Sequence, residues 1–283
     1  MYTLDRALAL GAGGPVGAAW MAGLACGLRR DGVDLSEADL IVGTSTGAII
    51  GAVLATGQDP GRLATPVRPA ASDGTPPQVD ERRLGEAFAV LRDAASNPAE
   101  ARRRVGRIAL VAETGPEQAH LDRMRAMVGA GQWPDRKLLI AVLDAETGEQ
   151  EIFDRASGAP LPSAVAASTA FPGIYPPITI NGRRYMDGSL QSATNAGLAT
   201  GARTLVVIDP QAHLFPHDLH QELTVAGAHT VVTIEPDPAS IRAFGSNMND
   251  RTAWEPAYQA GLRQAADAAE QLHFAWKTGS DTD

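Results

Sequence analysis

A chain of 283 residues with 24 Lys+Arg against 33 Asp+Glu carries a formal net charge of −9, and 44% of it is hydrophobic, the profile of a globular protein with a sizeable core. That charge lacks the basic stripe of a nucleic-acid binder and gives no general attraction to anionic membranes. One cysteine, Cys26, excludes a disulfide within the chain and any CxxC zinc or redox motif.

From Ala7 to Leu28 the chain is nearly all apolar. The glycines and Pro15 between Gly11 and Gly23, and the cancelling charges of Asp5 and Arg6, suit neither a signal peptide nor a membrane span. A cytoplasmic protein is therefore expected. The pattern predicts a strand Arg6 to Leu10, a glycine turn, a helix Gly17 to Arg30, a strand Leu40 to Val42 and a helix Gly47 to Thr56. This β-α-β-α start predicts an α/β fold, a parallel sheet with helices on both faces.

The link Thr65 to Val79 is Pro-rich and polar, and Asp80 to Gly129 reads as helical, with Leu84, Phe88 and Leu91 three or four apart. Strands follow at Lys137 to Leu143 and Gln150 to Phe153, then a short helix Leu161 to Ser168. An Asn181-Gly182 turn joins strands Ile178 to Ile180 and Arg184 to Met186. A helix Thr194 to Thr200, strands Thr204 to Ile208 and Thr230 to Ile234, and a helix Ala257 to Trp276 complete the chain. No repeat or boundary divides it, so one domain is expected over 1–283, with a helical insertion or cap at about 65–135 and a frayed polar tail at about 277–283.

The sharpest motif is Gly43-Thr44-Ser45-Thr46-Gly47, a G-x-S-x-G between a strand and a helix. Such a turn exposes its serine above the sheet, and the flanking glycines Gly43 and Gly47 let the backbone bend. The bland alternative is a turn whose serine merely caps the helix. An activated serine needs donors for an oxyanion, and Gly11-Ala12-Gly13-Gly14-Pro15-Val16-Gly17, after the first strand, offers amides at a helix N-terminus. The same run is also readable as a dinucleotide-binding turn, with Asp31 or Asp34 toward a ribose, but its spacing is one residue too long.

The serine also needs a base. A Ser-His-Asp triad fits poorly, since several strands precede the nucleophile in α/β-hydrolases and only two precede Ser45. The six histidines lie at 120, 213, 217, 220, 229 and 273. His213, His217 and His220 could suggest a metal site, yet no carboxylate or cysteine completes a set, so a solvated loop is the reading and no metal or cofactor is expected. Asp187, in Met186-Asp187-Gly188-Ser189, is the other candidate base, although Asp-Gly after a strand is usually only a turn. Its neighbours, Ala166-Ala167-Ser168-Thr169-Ala170-Phe171-Pro172 and Tyr175-Pro176-Pro177, set it apart.

Taken together, GAGGPVG, GTSTG, AASTAFP and DGS resemble, in order and over roughly residues 4 to 210, the patatin-like phospholipases. The resemblance implies a three-layer fold with a mainly parallel central sheet, and a Ser-Asp dyad that hydrolyses lipid acyl esters without histidine or metal. Carried over by position, Ser45 is the nucleophile, Asp187 the base, and the amides of Gly13 and Gly14 the oxyanion hole. The chain departs from the pattern at Ala12 and at Val16, where the family usually carries Arg or Lys; that position is expected near the site, with weaker action on anionic headgroups as the consequence. Pro15 has no N–H, which leaves the residues before it, together with Thr46, as donors. The expected partner is a lipid or ester substrate met through transient contact with a membrane surface, with no nucleic acid; the oligomeric state is left open. Arg102, Arg103, Arg104 and Arg107 read as a solvated helix face rather than a phosphate site. The rival from another class is a patatin-like fold retained as a lipid-binding module.

Overall fold

The computed structural model describes residues 4–67, 78–94, 97–214 and 219–277. Most of the Pro-rich link, the polar tail and His217 lie outside them. Strand β1 (Leu4–Leu10) leads through the glycine turn into α1 (Gly14–Arg30), and β2 (Leu40–Thr44) leads into α2 (Thr46–Ala55). The helical segment follows as α3 (Glu81–Arg92), α4 (Pro98–Val111) and α5 (Glu117–Val128). Next come β3 (Lys137–Asp144), β4 (Gln150–Phe153), α6 (Leu161–Ser168), β5 (Ile178–Ile180) and β6 (Arg183–Asp187). The remaining elements are β7 (Ala202–Ile208), α7 (Leu219–Ala226), β8 (Thr230–Ile234), α8 (Pro238–Phe244) and α9 (Trp254–Lys277).

Among the described residues these strands form one sheet in the order β5-β6-β3-β2-β1-β7-β8, with β4 also on β3. The run β3-β2-β1-β7-β8 is parallel, and β4, β5 and β6 are antiparallel additions at one side. Alternation along β1 decides what covers each face. Leu8 and Leu10 join the main core with α1, α2 and α9, whereas Ala7 and Ala9 share a second core with Ala226 of α7 and the turn at Ala196 and Ala199. The expected three-layer arrangement is therefore present.

Small residues set the closest helix contact. A Cβ at Gly23 of α1 would meet Tyr258 O of α9 at 2.0 Å, and one at Gly261 would meet Trp20 O at 2.1 Å. Two helices can approach this closely only where side chains are missing, which explains why α1 is both glycine-rich and buried from Val16 to Leu28.

The stretch from Asp80 to Gly129 is helical, divided into three helices because Asn97 with Pro98 and then Pro116 each start a new one. One expectation needs correction. The helix expected at Thr194 to Thr200 is a single 3₁₀ turn, Ala196–Leu198, preceded by Asn195 at φ 49°. Asn195 spends its side-chain amide on Thr44 Oγ1 and Ser192 O, bonds that hold it out of a helix. The helical segment itself divides between two cores. Helices α3 and α4 enclose a small cluster with Leu143, Ala145 and Met186, while Met124, Met127 and Val128 of α5 enter the main core.

Candidate active site

The C-terminal ends of β1 and β2 lie side by side, since Leu10 pairs with Gly43. That register brings the glycine turn and Ser45 to the same edge of the sheet, where open α/β sheets hold their ligands. Ser45 occupies the one residue between β2 and α2 with φ 54° and ψ −124°, a conformation that L-residues rarely adopt. The bend requires its neighbours to be small. A Cβ at Gly47 would lie 2.0 Å from Leu10 O, inside the backbone of β1.

Ser45 Oγ donates to Asp187 Oδ2 at 2.8 Å. Asp187 is the last residue of β6, placed there because β6 pairs with β3 and sets Asp187 opposite Val142. Its Oδ1 accepts from the Ser189 amide at 2.9 Å, its own amide donates to Ala170 O at 3.1 Å, and it is 1% exposed. Burial pushes its carboxyl up to about 6, against the opposing pull of the Ser189 and Ser45 hydrogen bonds. The AASTAFP stretch proves to be the mount for both residues. Ser168 Oγ accepts the Ser45 amide at 2.9 Å and donates to Ala141 O of β3 at 2.8 Å, while Ala170 anchors Asp187.

Two amides of the glycine turn are unengaged among the described residues. Gly11 donates to Ile208 O, Ala12 to Ala193 O, Val16 to Met248 O and Gly17 to Gly13 O, and Pro15 has no N–H. Among the described residues the amides of Gly13 and Gly14 have no backbone acceptor, and both residues border the same cavity as Ser45 and Asp187. Both stand at the N-terminus of α1, and Thr46 stands at that of α2, so two helix dipoles favour negative charge there.

The cavity, its mouth included, encloses about 1050 Å³. Its wall is mostly apolar, with Ile49, Phe88, Met124, Met127, Met248 and Trp254 among its residues. The helical segment thus supplies part of the wall, from α3 and α5. His120 is the residue that sequence reasoning passed over. It is 1% exposed, stacks on Tyr175 with ring centroids 3.9 Å apart, and bonds through Nε2 to Ala166 O and Thr169 Oγ1. Burial first, then the nearby Arg123, lowers it to about 3, which keeps the ring neutral. A histidine three residues before an arginine on an amphipathic helix was the only sequence signal of it.

Other candidates lie elsewhere. Val16 is fully buried in the main core and does not border the cavity, which corrects its expected place near the site: α1 begins at Gly14, and the side chain at 16 turns inward. Asp31 and Asp34 lie before β2, at the opposite end of the sheet from the cavity, and Asp34 pairs with Arg29. Arg103 and Arg107 pair with Glu100, and Arg102 donates to Gly148 O. His213 packs near Phe244, and His229 bonds Thr230. Among the described residues no group of three or more His, Cys, Asp or Glu is spaced to hold a metal, and no helix is long and apolar enough to cross a membrane.

A family model described as patatin-like phospholipase matches residues 8–200. No curated protein matches the sequence significantly. Two solved structures are similar at low identity. VipD from Legionella pneumophila is 10% identical with a TM-score of 0.42, the match covering 93% of this chain and 67% of that one. The type III effector protein ExoU is 15% identical with a TM-score of 0.36, the match covering 94% of this chain and 53% of that one. The chain thus spans about half the length of ExoU.

Proposed function

The chain belongs to the patatin-like phospholipase family, whose members hydrolyse ester bonds, and we propose that it is a serine lipid acyl hydrolase, with Ser45 as nucleophile and Asp187 as its base. The observation that carries this reading is the 2.8 Å contact between Ser45 Oγ and the buried Asp187 carboxylate, on a strained turn beside an apolar cavity.

The chemistry is two-step acyl transfer. Asp187 takes the Ser45 proton as Oγ attacks the ester carbonyl; the tetrahedral oxyanion collapses, and the alcohol leaves with that proton. Asp187 then takes a proton from water as the water attacks the acyl-serine, and returns it to Ser45 Oγ as the acyl–Oγ bond breaks, releasing the fatty acid and restoring the serine hydroxyl and the carboxylate. A carboxylate with an ordinary value near 3.9 is a poor base for a hydroxyl, and burial improves the match. The unengaged amides of Gly13 and Gly14 are the proposed oxyanion donors. The wall formed by α3 and α5 is the proposed acyl groove and cap.

A fluorophosphonate probe tests the nucleophile directly, because it phosphonylates only an activated serine. Mass spectrometry is expected to find the adduct on the peptide that carries Ser45, and an adduct on another residue would move the nucleophile. Substrate binding with neither labelling nor ester turnover would favour the lipid-binding module.

The donors have their own test. Gly14 has φ 58°, and a Cβ there would meet Met248 O at 2.7 Å, so a side chain must shift the turn. Gly14→Val is expected to lower kcat by roughly a hundredfold or more, the loss of one oxyanion donor. A kcat within twofold of the parent would place the oxyanion elsewhere.

A further inference from the structure

Resting on the acyl-hydrolase reading, we propose that Arg123 and Arg251 form a headgroup subsite in the cavity wall that selects acyl substrates bearing a phosphate. The two residues come from different parts of the chain, Arg123 from α5 and Arg251 from the turn just before α9, and both border the cavity that holds Ser45 and Asp187. They meet at Tyr175. The Arg123 guanidinium lies over the Tyr175 ring, 5.6 Å from its centroid, and Arg251 Nη2 donates to the Tyr175 hydroxyl at 3.2 Å.

Neither guanidinium pairs with a carboxylate among the described residues. Arg103, Arg183 and Arg263, by contrast, each have a carboxylate partner. Two uncompensated guanidinium groups beside a largely apolar pocket form a local positive field of the kind that draws an anion. Arg251 spends one N–H on the Tyr175 hydroxyl and Arg123 meets only the ring face, so both keep N–H donors, and a planar fork suits phosphate oxygens. Tyr175 itself stacks on buried His120, which anchors the ring that both arginines contact. The neutral state of His120 leaves the anion to the arginines.

The test uses the full chain and two readouts. In calorimetry, glycerol 3-phosphate is expected to bind where glycerol does not, with an affinity that falls as salt rises, and Arg123→Gln and Arg251→Gln are each expected to weaken it roughly tenfold. In turnover, the measured quantity is kcat/KM on phosphatidylglycerol vesicles divided by kcat/KM on a neutral short-chain ester. Each variant is expected to lower that ratio roughly tenfold, whereas Arg104→Gln, on the exposed face of α4, leaves it unchanged. Equal losses on both substrates would reduce the arginines to a clamp on Tyr175 and overturn the proposal. Inorganic phosphate binding as tightly as glycerol 3-phosphate, with no change in the ratio, would make this a free-phosphate site and overturn the headgroup role. A parent that turns over neither substrate would sink the hydrolase reading, while calorimetry still decides the anion site.

Discussion

Ser45→Ala is expected to lower ester hydrolysis at least ~10⁴-fold, to the level of binding and oxyanion stabilisation alone. The protein is expected to remain folded. The hydroxyl contributes one hydrogen bond at a position only 7% exposed, and its partner Asp187 keeps the Ser189 amide as a donor. The backbone bond from residue 45 to Ser168 survives the change. Circular dichroism and a thermal melt alongside the assay separate lost chemistry from lost structure. A folded alanine variant with parental turnover would remove Ser45 from the mechanism, and the strained φ of 54° would then lack a catalytic explanation.

How much of this was legible in the sequence follows from how local each feature is. The elbow was readable because five adjacent residues carry it, with a strand before and a helix after. The pairing of β1 with β2 was readable for the same reason, as two strands and one helix in sequence order. Asp187 is different: it stands 142 residues from Ser45, and only the β3–β6 pairing brings it there. The local sequence offered an Asp-Gly turn, and the family pattern singled it out. The roles of Ser168 and Ala170 were hidden because each acts through one hydrogen bond to another element. His120, Tyr175 and Arg251 lie on three separate segments, and no spacing rule joins them. Helix α8 could have been found, because Asp237 followed by Pro238 is an N-cap signal and Asp237 indeed accepts from the Ser240 amide. Val16 misled because its family position suggested a place near the site, whereas the helix phase, set by a start at Gly14, turns it into the core.

Asp187→Asn is expected to abolish activity and to stabilise the fold. The amide oxygen can still accept from Ser189, so the geometry of the turn survives, but an amide cannot take the serine proton. The loss is expected to approach that of Ser45→Ala, since the two residues act as one unit and their effects do not add. The stability effect follows from the buried charge. Burial raises the carboxyl from 3.8 to about 6 in the folded protein, so between those values the native state binds more protons than the unfolded chain. Stability therefore falls as pH rises through this window, and above it the full penalty persists, on the order of 3 kcal/mol. Asparagine carries no charge and escapes most of that penalty. Melts of parent and variant are thus expected to coincide near pH 4 and to separate in favour of the variant by pH 8. The same ionisation sets the acid limb of the parental activity, with kcat/KM rising through about pH 6 as Asp187 loses its proton. A variant less stable than the parent at pH 8, or an acid limb near pH 4, would mean that Asp187 is well solvated in solution. Agreement would show one carboxylate in two measurements: the desolvation that makes Asp187 basic enough to activate Ser45 is the same desolvation that makes the fold less stable with it than without it.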